Sequence, residues 1–111
     1  MPTRTIERGQ WQSYFDQVSR HLPASKIDVE IDAPELGAQH EASDLRLEGL
    51  SYDPRDDAFS IVAEGLEHRI SHPNHISVLE EENHLAAIEV VDDEQRKHVA
   101  RLTESLRLPS R

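Results

Sequence analysis

Between Leu45 and Ile76 apolar and polar residues alternate, and turn-forming residues interrupt the alternation at intervals. A period of two puts alternate side chains on opposite faces of an extended chain, so this stretch predicts antiparallel strands folding back on one another. Leu45 and Leu47 share one strand face, and Leu50 and Tyr52 share one face of its continuation. The two pairs are out of phase by one residue across Gly49. A phase slip at a glycine predicts a β-bulge, because glycine adopts the backbone angles a bulge demands. Asp53-Pro54-Arg55-Asp56-Asp57 predicts a tight turn: Pro54 pre-sets φ, and aspartate side chains bond nearby backbone N–H groups. Phe59, Ile61 and Ala63 resume the alternation and complete a hairpin. Gly65 marks a second turn and Pro73-Asn74 a third.

The flanking segments are placed relative to this meander. Trp11, Phe15, Val18 and Leu22 fall at i, i+4, i+7 and i+11, one apolar stripe of a helix over residues 7–22 that Pro23 ends. Trp11 and Phe15 are expected to anchor that helix on the sheet. Lys26 to Asp32 alternates strictly and predicts a strand with one buried and one wet face. Pro34 and Gly37 make a loop, and Gln39 to Ala42 fits a short strand. Ile76 to Glu80 reads as a further strand, followed by a polar turn at Glu81-Glu82-Asn83. Leu85 to Val91 is nearly continuous apolar sequence, which suits a strand covered by the sheet interior on one side and the helix on the other. Asp92 to Gln95 then reads as a turn before a strand from Lys97 to Thr103. The same residues also fit a helix capped by Asp92 and Gln95, with Val99, Leu102 and Leu106 on one face. The sum is an α+β fold: an N-terminal helix packed on a bent, mainly antiparallel sheet or partial small β-barrel. Residues 1–111 form one domain, with a polar arm at 1–5, the helix at 7–22, strands over 26–103 and a tail at 104–111.

Composition narrows the setting. The chain has 111 residues, of which 36% are hydrophobic, and a mean hydropathy of −0.68. Its core is therefore modest, and such a domain gains from an oligomeric interface. There are no cysteines, so disulfides and thiolate metal sites are excluded. No apolar run approaches the ~20 residues of a membrane span, and Met1 to Glu7 lacks the apolar core of a signal peptide. A soluble cytoplasmic protein is expected. The formal net charge is −10, with the lysines and arginines scattered along the chain. That balance disfavours nucleic acid and anionic membranes as partners.

Met1-Pro2-Thr3-Arg4 stands ahead of Trp11 and Phe15, and Leu36-Gly37-Ala38-Gln39 ahead of Leu47-Glu48-Gly49-Leu50. His68, Ile70 and Pro73 follow in the order His-x-Ile-x-x-Pro. Ile88-Glu89 then leads into an acidic turn and Val99-Ala100-Arg101-Leu102. Together these stretches resemble a family of small bacterial proteins known as domain of unknown function 5335. The resemblance implies a strand after the acidic turn, and a glycine within that turn, where this chain has Glu94-Gln95. It implies no activity.

Candidate chemistry is concentrated in seven histidines, three of which lie in His68-Arg69-Ile70-Ser71-His72-Pro73-Asn74-His75. Imidazole is a common metal ligand, so His68, His72 and His75 are the metal candidates. On a strand, His68 and His72 share a face but stand roughly 13 Å apart. One ion cannot take both directly, whereas His72 and His75 can converge around a Pro73-Asn74 turn. A structural hydrogen bond from a partly buried His68, which shares a face with Ile70, is the competing reading. Glu80-Glu81-Glu82 and Asp92-Asp93-Glu94 read as solvated turns, since neither has the spacing of a calcium loop. No nucleophile elbow or phosphate loop is present. No catalytic residue and no cofactor is assigned. The function left standing is a small acidic, non-catalytic interaction or regulatory module, meeting an unknown protein partner or a second copy through a sheet edge. The alternative is a histidine-dependent metal-binding or enzymatic protein.

Overall fold

The computed structural model describes residues 3–21, 28–32 and 42–107. Among them are one α-helix, α1 (Trp11–His21), and eight strands: β1 (Thr3–Ile6), β2 (Asp28–Asp32), β3 (Ala42–Asp53), β4 (Ala58–Ala63), β5 (Leu66–Ser71), β6 (Pro73–Glu81), β7 (His84–Asp92) and β8 (Lys97–Arg107). The strands hydrogen-bond in the order β1-β6-β7-β8-β2-β3-β4-β5, antiparallel throughout. The architecture is α+β, a helix on a bent antiparallel sheet. The sheet turns a corner within β3, whose first half pairs with β2 and whose second half pairs with β4. The register shifts between Leu47 and Gly49, where the alternation slips. A bulge there sharpens the local twist and turns the strand.

α1 packs on β3. Its stripe of Trp11, Phe15 and Val18 is buried. The Trp11 ring meets Tyr52 edge-on with centroids 5.0 Å apart, and Phe15 meets Phe59 at 4.8 Å. Just past the bulge, the Ser19 hydroxyl donates to the carbonyl of Leu50 at 2.6 Å and accepts from its N–H at 3.0 Å. The α-helix begins at Trp11 rather than Glu7, because Arg8–Gln10 is a 3-10 turn closed by the Gln10 N–H on the Glu7 carbonyl. Leu22, Pro23, the loop of Pro34 and Gly37, and Gln39 to Glu41 lie outside the described residues.

Four further expectations are corrected. Thr3 to Thr5, expected within a polar arm over 1–5, belong instead to strand β1, paired with β6 from Thr3 opposite Leu79 to Ile6 opposite Ile76. Ile6 is its one buried residue, so the segment has no alternation to read; its partner strand makes it a strand. Pro73-Asn74 is not a turn. β6 starts at Pro73, and the bend falls one residue earlier at His72, whose φ is +55°. β5 and β6 therefore run on from one another instead of forming a hairpin. β8 continues to Arg107, opposite His84, so the tail begins later than residue 104. Finally, β7 is not fully covered on both faces: its Leu85, Ile88 and Val90 lie in the core, but the rest of its apolar run is more open. The apolar run of β7 includes Ala86, Ala87 and Val91 at half-buried positions, and an alanine side chain is small enough to sit there at little cost.

The core gathers Phe15, Leu50, Phe59, Ile61, Ile76 and Ile88, among others, between helix and sheet. Among the described residues no helix is long and apolar enough to cross a membrane.

Candidate functional site

β5 is organised by what lies on its two faces. His68 and Ile70 point inward, while Glu67, Arg69 and Ser71 are exposed. His68 is 7% exposed and His98, which meets it from β8, is 1% exposed. Their rings approach with His68 Nε2 and His98 Nδ1 3.0 Å apart. On its other side His98 Nε2 lies 3.0 Å from Oδ2 of Asp92, at the end of β7. Asp92 is 2% exposed. Its Oδ1 accepts the backbone N–H groups of Glu94 and Arg96, each at 2.9 Å, and its Oδ2 accepts Arg96 Nε at 3.1 Å. Burial alone would raise the Asp92 carboxyl. Bonds from His98 and the Arg96 and Glu94 backbone, with the Arg96 charge, outweigh burial and hold it at about 2.

The nitrogen beside a carboxylate oxygen carries a hydrogen, so His98 donates from Nε2 to Asp92. Its Nδ1 and His68 Nε2 then share one proton between them in a buried bond. The chain Asp92–His98–His68 thus ties the β7–β8 turn, β8 and β5 together through buried bonds. At this burial the chain holds three elements in register.

The other two candidate histidines go elsewhere. His72 is exposed, with Nδ1 3.3 Å from Asp57 Oδ2, while its N–H donates to the Asp57 carbonyl at 2.7 Å. Asp57 also accepts the Tyr52 hydroxyl at 2.7 Å and Arg8 at 3.2 Å. Arg8 reaches on to the Pro73 carbonyl at 2.9 Å and stacks over the Trp11 ring at 4.4 Å. The Tyr52 hydroxyl first, then His72 and Arg8, pull the Asp57 carboxyl below its usual range. Asp57 and His72 both have positive φ, 51° and 55°, so this cluster clamps two left-handed residues at the corner where β5 passes into β6. His75, also exposed, has Nε2 3.0 Å from the Ser77 hydroxyl. Among the described residues no group of three or more His, Asp or Glu side chains is arranged to hold a metal. An apolar hollow of about 160 Å³ lies on the outer face between β1, β6, β7 and β8, lined in part by Leu79, Ala87 and Val99, and no histidine borders it.

The outer edge of β5 is the second notable feature. β4 and β5 pair from Ala63 opposite Leu66 to Ala58 opposite Ser71 without a register shift. The N–H of His72 continues this ladder to Asp57. In an antiparallel ladder every second residue turns its N–H and C=O to the partner. Counting back from His72, Ile70 and His68 bond to β4, and Glu67, Arg69 and Ser71 direct their backbone groups away from it. β5 ends the strand order, and among the described residues no strand lies on that side. The edge is bounded at one end by the β7–β8 turn, where the Asp93 N–H donates to the His72 carbonyl at 3.1 Å. At the opposite end of the order, β1 has four residues. It is tied down by Arg4, which bonds Glu80 at 3.1 and 3.2 Å, while Tyr14 bonds the same carboxylate.

His98 is not singled out in the sequence, and Asp92 reads there as part of a solvated turn. The usable signal for His98 is phase, since it shares the inward register of Ala100 and Leu102. Asp92 carries no such signal, because an aspartate opening an acidic turn looks solvated.

Comparison with known proteins agrees with the resemblance read from the motifs. The model of the Family of unknown function (DUF5335) matches residues 2–111. A protein of Aquifex aeolicus (strain VF5), described only as uncharacterized, is 42% identical over 110 residues, covering 98% of this chain and 99% of the relative. No solved structure matches. The match runs over nearly the whole chain, and the relative is aligned with it almost end to end. The chain therefore belongs to the Family of unknown function (DUF5335).

Proposed function

We propose that this protein is a non-catalytic interaction module that takes up an extended strand along the outer edge of β5. One observation carries the reading. β5 is a regular six-residue strand at the end of the ladder, its inner face fixed by the Asp92–His98–His68 chain and its outward N–H and C=O groups unmet among the described residues. Folded proteins blunt such edges with proline, bulges or coverage, because an open edge is a template for pairing. β5 contains no proline and no bulge. It carries alternating charge instead, with Glu67 and Arg69 side by side on its exposed face. Charge of this kind rejects most strands and admits a complementary one. Cytoplasmic residence belongs to the same proposal and rests on the acidic, cysteine-free composition.

Arg69→Pro tests the reading. The Arg69 N–H points away from β4, so proline removes no internal ladder bond but blocks the edge. Proteins captured by the wild-type chain from an extract of its own cells should be lost with Arg69→Pro, while circular dichroism stays unchanged. Capture that persists with a folded Arg69→Pro chain contradicts the reading.

A further inference from the structure

We propose that the strand taken up by β5 is β5 of a second copy of this chain, in a register that sets Glu67 opposite the partner's Arg69. This rests on the edge reading above and adds the identity of the occupant.

The register follows from hydrogen bonding and charge. Only Glu67, Arg69 and Ser71 turn their backbone groups outward, so a second antiparallel strand must place an outward residue opposite an outward residue. Sliding the copies by a single position sets outward groups against inward ones and forms no ladder. Of the registers that remain, one puts Glu67 opposite Glu67 of the partner subunit, and another puts Arg69 opposite the partner's Arg69. Like charges directly opposite are destabilising. The register between them pairs Glu67 with the partner's Arg69 and, by the two-fold axis, Arg69 with the partner's Glu67. Each of these pairs exchanges both of its N–H···O bonds.

The sequence of this edge is thus self-complementary about His68, as an isologous interface requires, and the association closes at two copies. Arg69 already contacts Asp56 on its own chain at 3.3 Å, with side chains 48% and 62% exposed. An exposed pair of that kind holds its partners weakly, so Arg69 is available to the second copy. A six-residue strand makes a small interface, which points to reversible, concentration-dependent association.

Charge reversal tests the register. Glu67→Arg leaves arginine opposite arginine across the axis, and Arg69→Glu leaves glutamate opposite glutamate. Each variant alone should sediment as a monomer at concentrations where the wild type is a dimer. An equimolar mixture of the two should recover the dimer, because every opposed pair then carries opposite charge. Matching thermal midpoints for the wild type and both variants establish that the fold is intact. A wild-type chain that remains monomeric at millimolar concentration overturns self-pairing, and so does a dimer that ignores both reversals or a mixture that fails to associate. If the wild type is monomeric while capture of another protein still depends on Arg69→Pro, only the identity of the occupant fails. If capture also ignores Arg69→Pro, the edge reading fails with it.

Discussion

Replacing His68 by alanine removes the ring that partners Nδ1 of His98, deep between β5 and β8. A buried polar group left without its partner costs about 1–3 kcal/mol, and His68→Ala should lower the denaturation midpoint accordingly. Asp92 adds a pH dependence with a definite sign. Its folded value lies near 2, below the 3.8 of the unfolded chain. A depressed carboxylate stabilises the fold above the unfolded value and loses that contribution as pH falls through the folded one. Asp92→Asn should therefore be less stable than wild type at neutral pH, with the gap closing as pH drops from 3.8 towards about 2; a gap independent of pH would contradict this. His68 is legible in the sequence because it shares the inward phase of Ile70. Its partners are not, since they depend on where β8 crosses β5, and no local pattern encodes that crossing. Asp92 is misread for the same reason: its burial comes from the bonds it makes after the turn closes.

At the scale of elements, the bulge at Gly49 and the Asp53–Asp57 hairpin are written in the sequence, because each has a local cause in phase or turn chemistry. β1 and the bend at His72 are not, because one is induced by its partner strand and the other by a left-handed histidine that no glycine announces. The β7–β8 turn shows both cases. Gln95 has a φ of +67°, a conformation that costs a non-glycine residue about 1–2 kcal/mol. The family resemblance implies glycine in this turn, and the backbone supplies the physical reason. Gln95→Gly should raise stability by about 1 kcal/mol, the relief of that strain less the extra entropy of an unfolded glycine. A lower thermal midpoint for the variant would mean that the Gln95 side chain has a role of its own.

On the scale of the whole molecule, the strand order divides β5 into two sides with different work. The inner side is structural, held by Asp92, His98 and His68, and the corner at its end is clamped by Asp57, Arg8 and His72. The outer side is a paired-charge edge. The helix-then-meander pattern makes the α+β fold legible in the sequence, but not which strand ends the order. The order β8-β2-β3 brings distant segments together through long-range pairing. Residue-resolved amide hydrogen exchange across β5, at low and at high protein concentration, tests the two-sided account most directly. His68 and Ile70, bonded to β4, should be protected at every concentration. Glu67 and Arg69 should exchange freely when dilute and slow as the protein is concentrated. Glu67 and Arg69 amides that exchange at the same rate at both concentrations would contradict it.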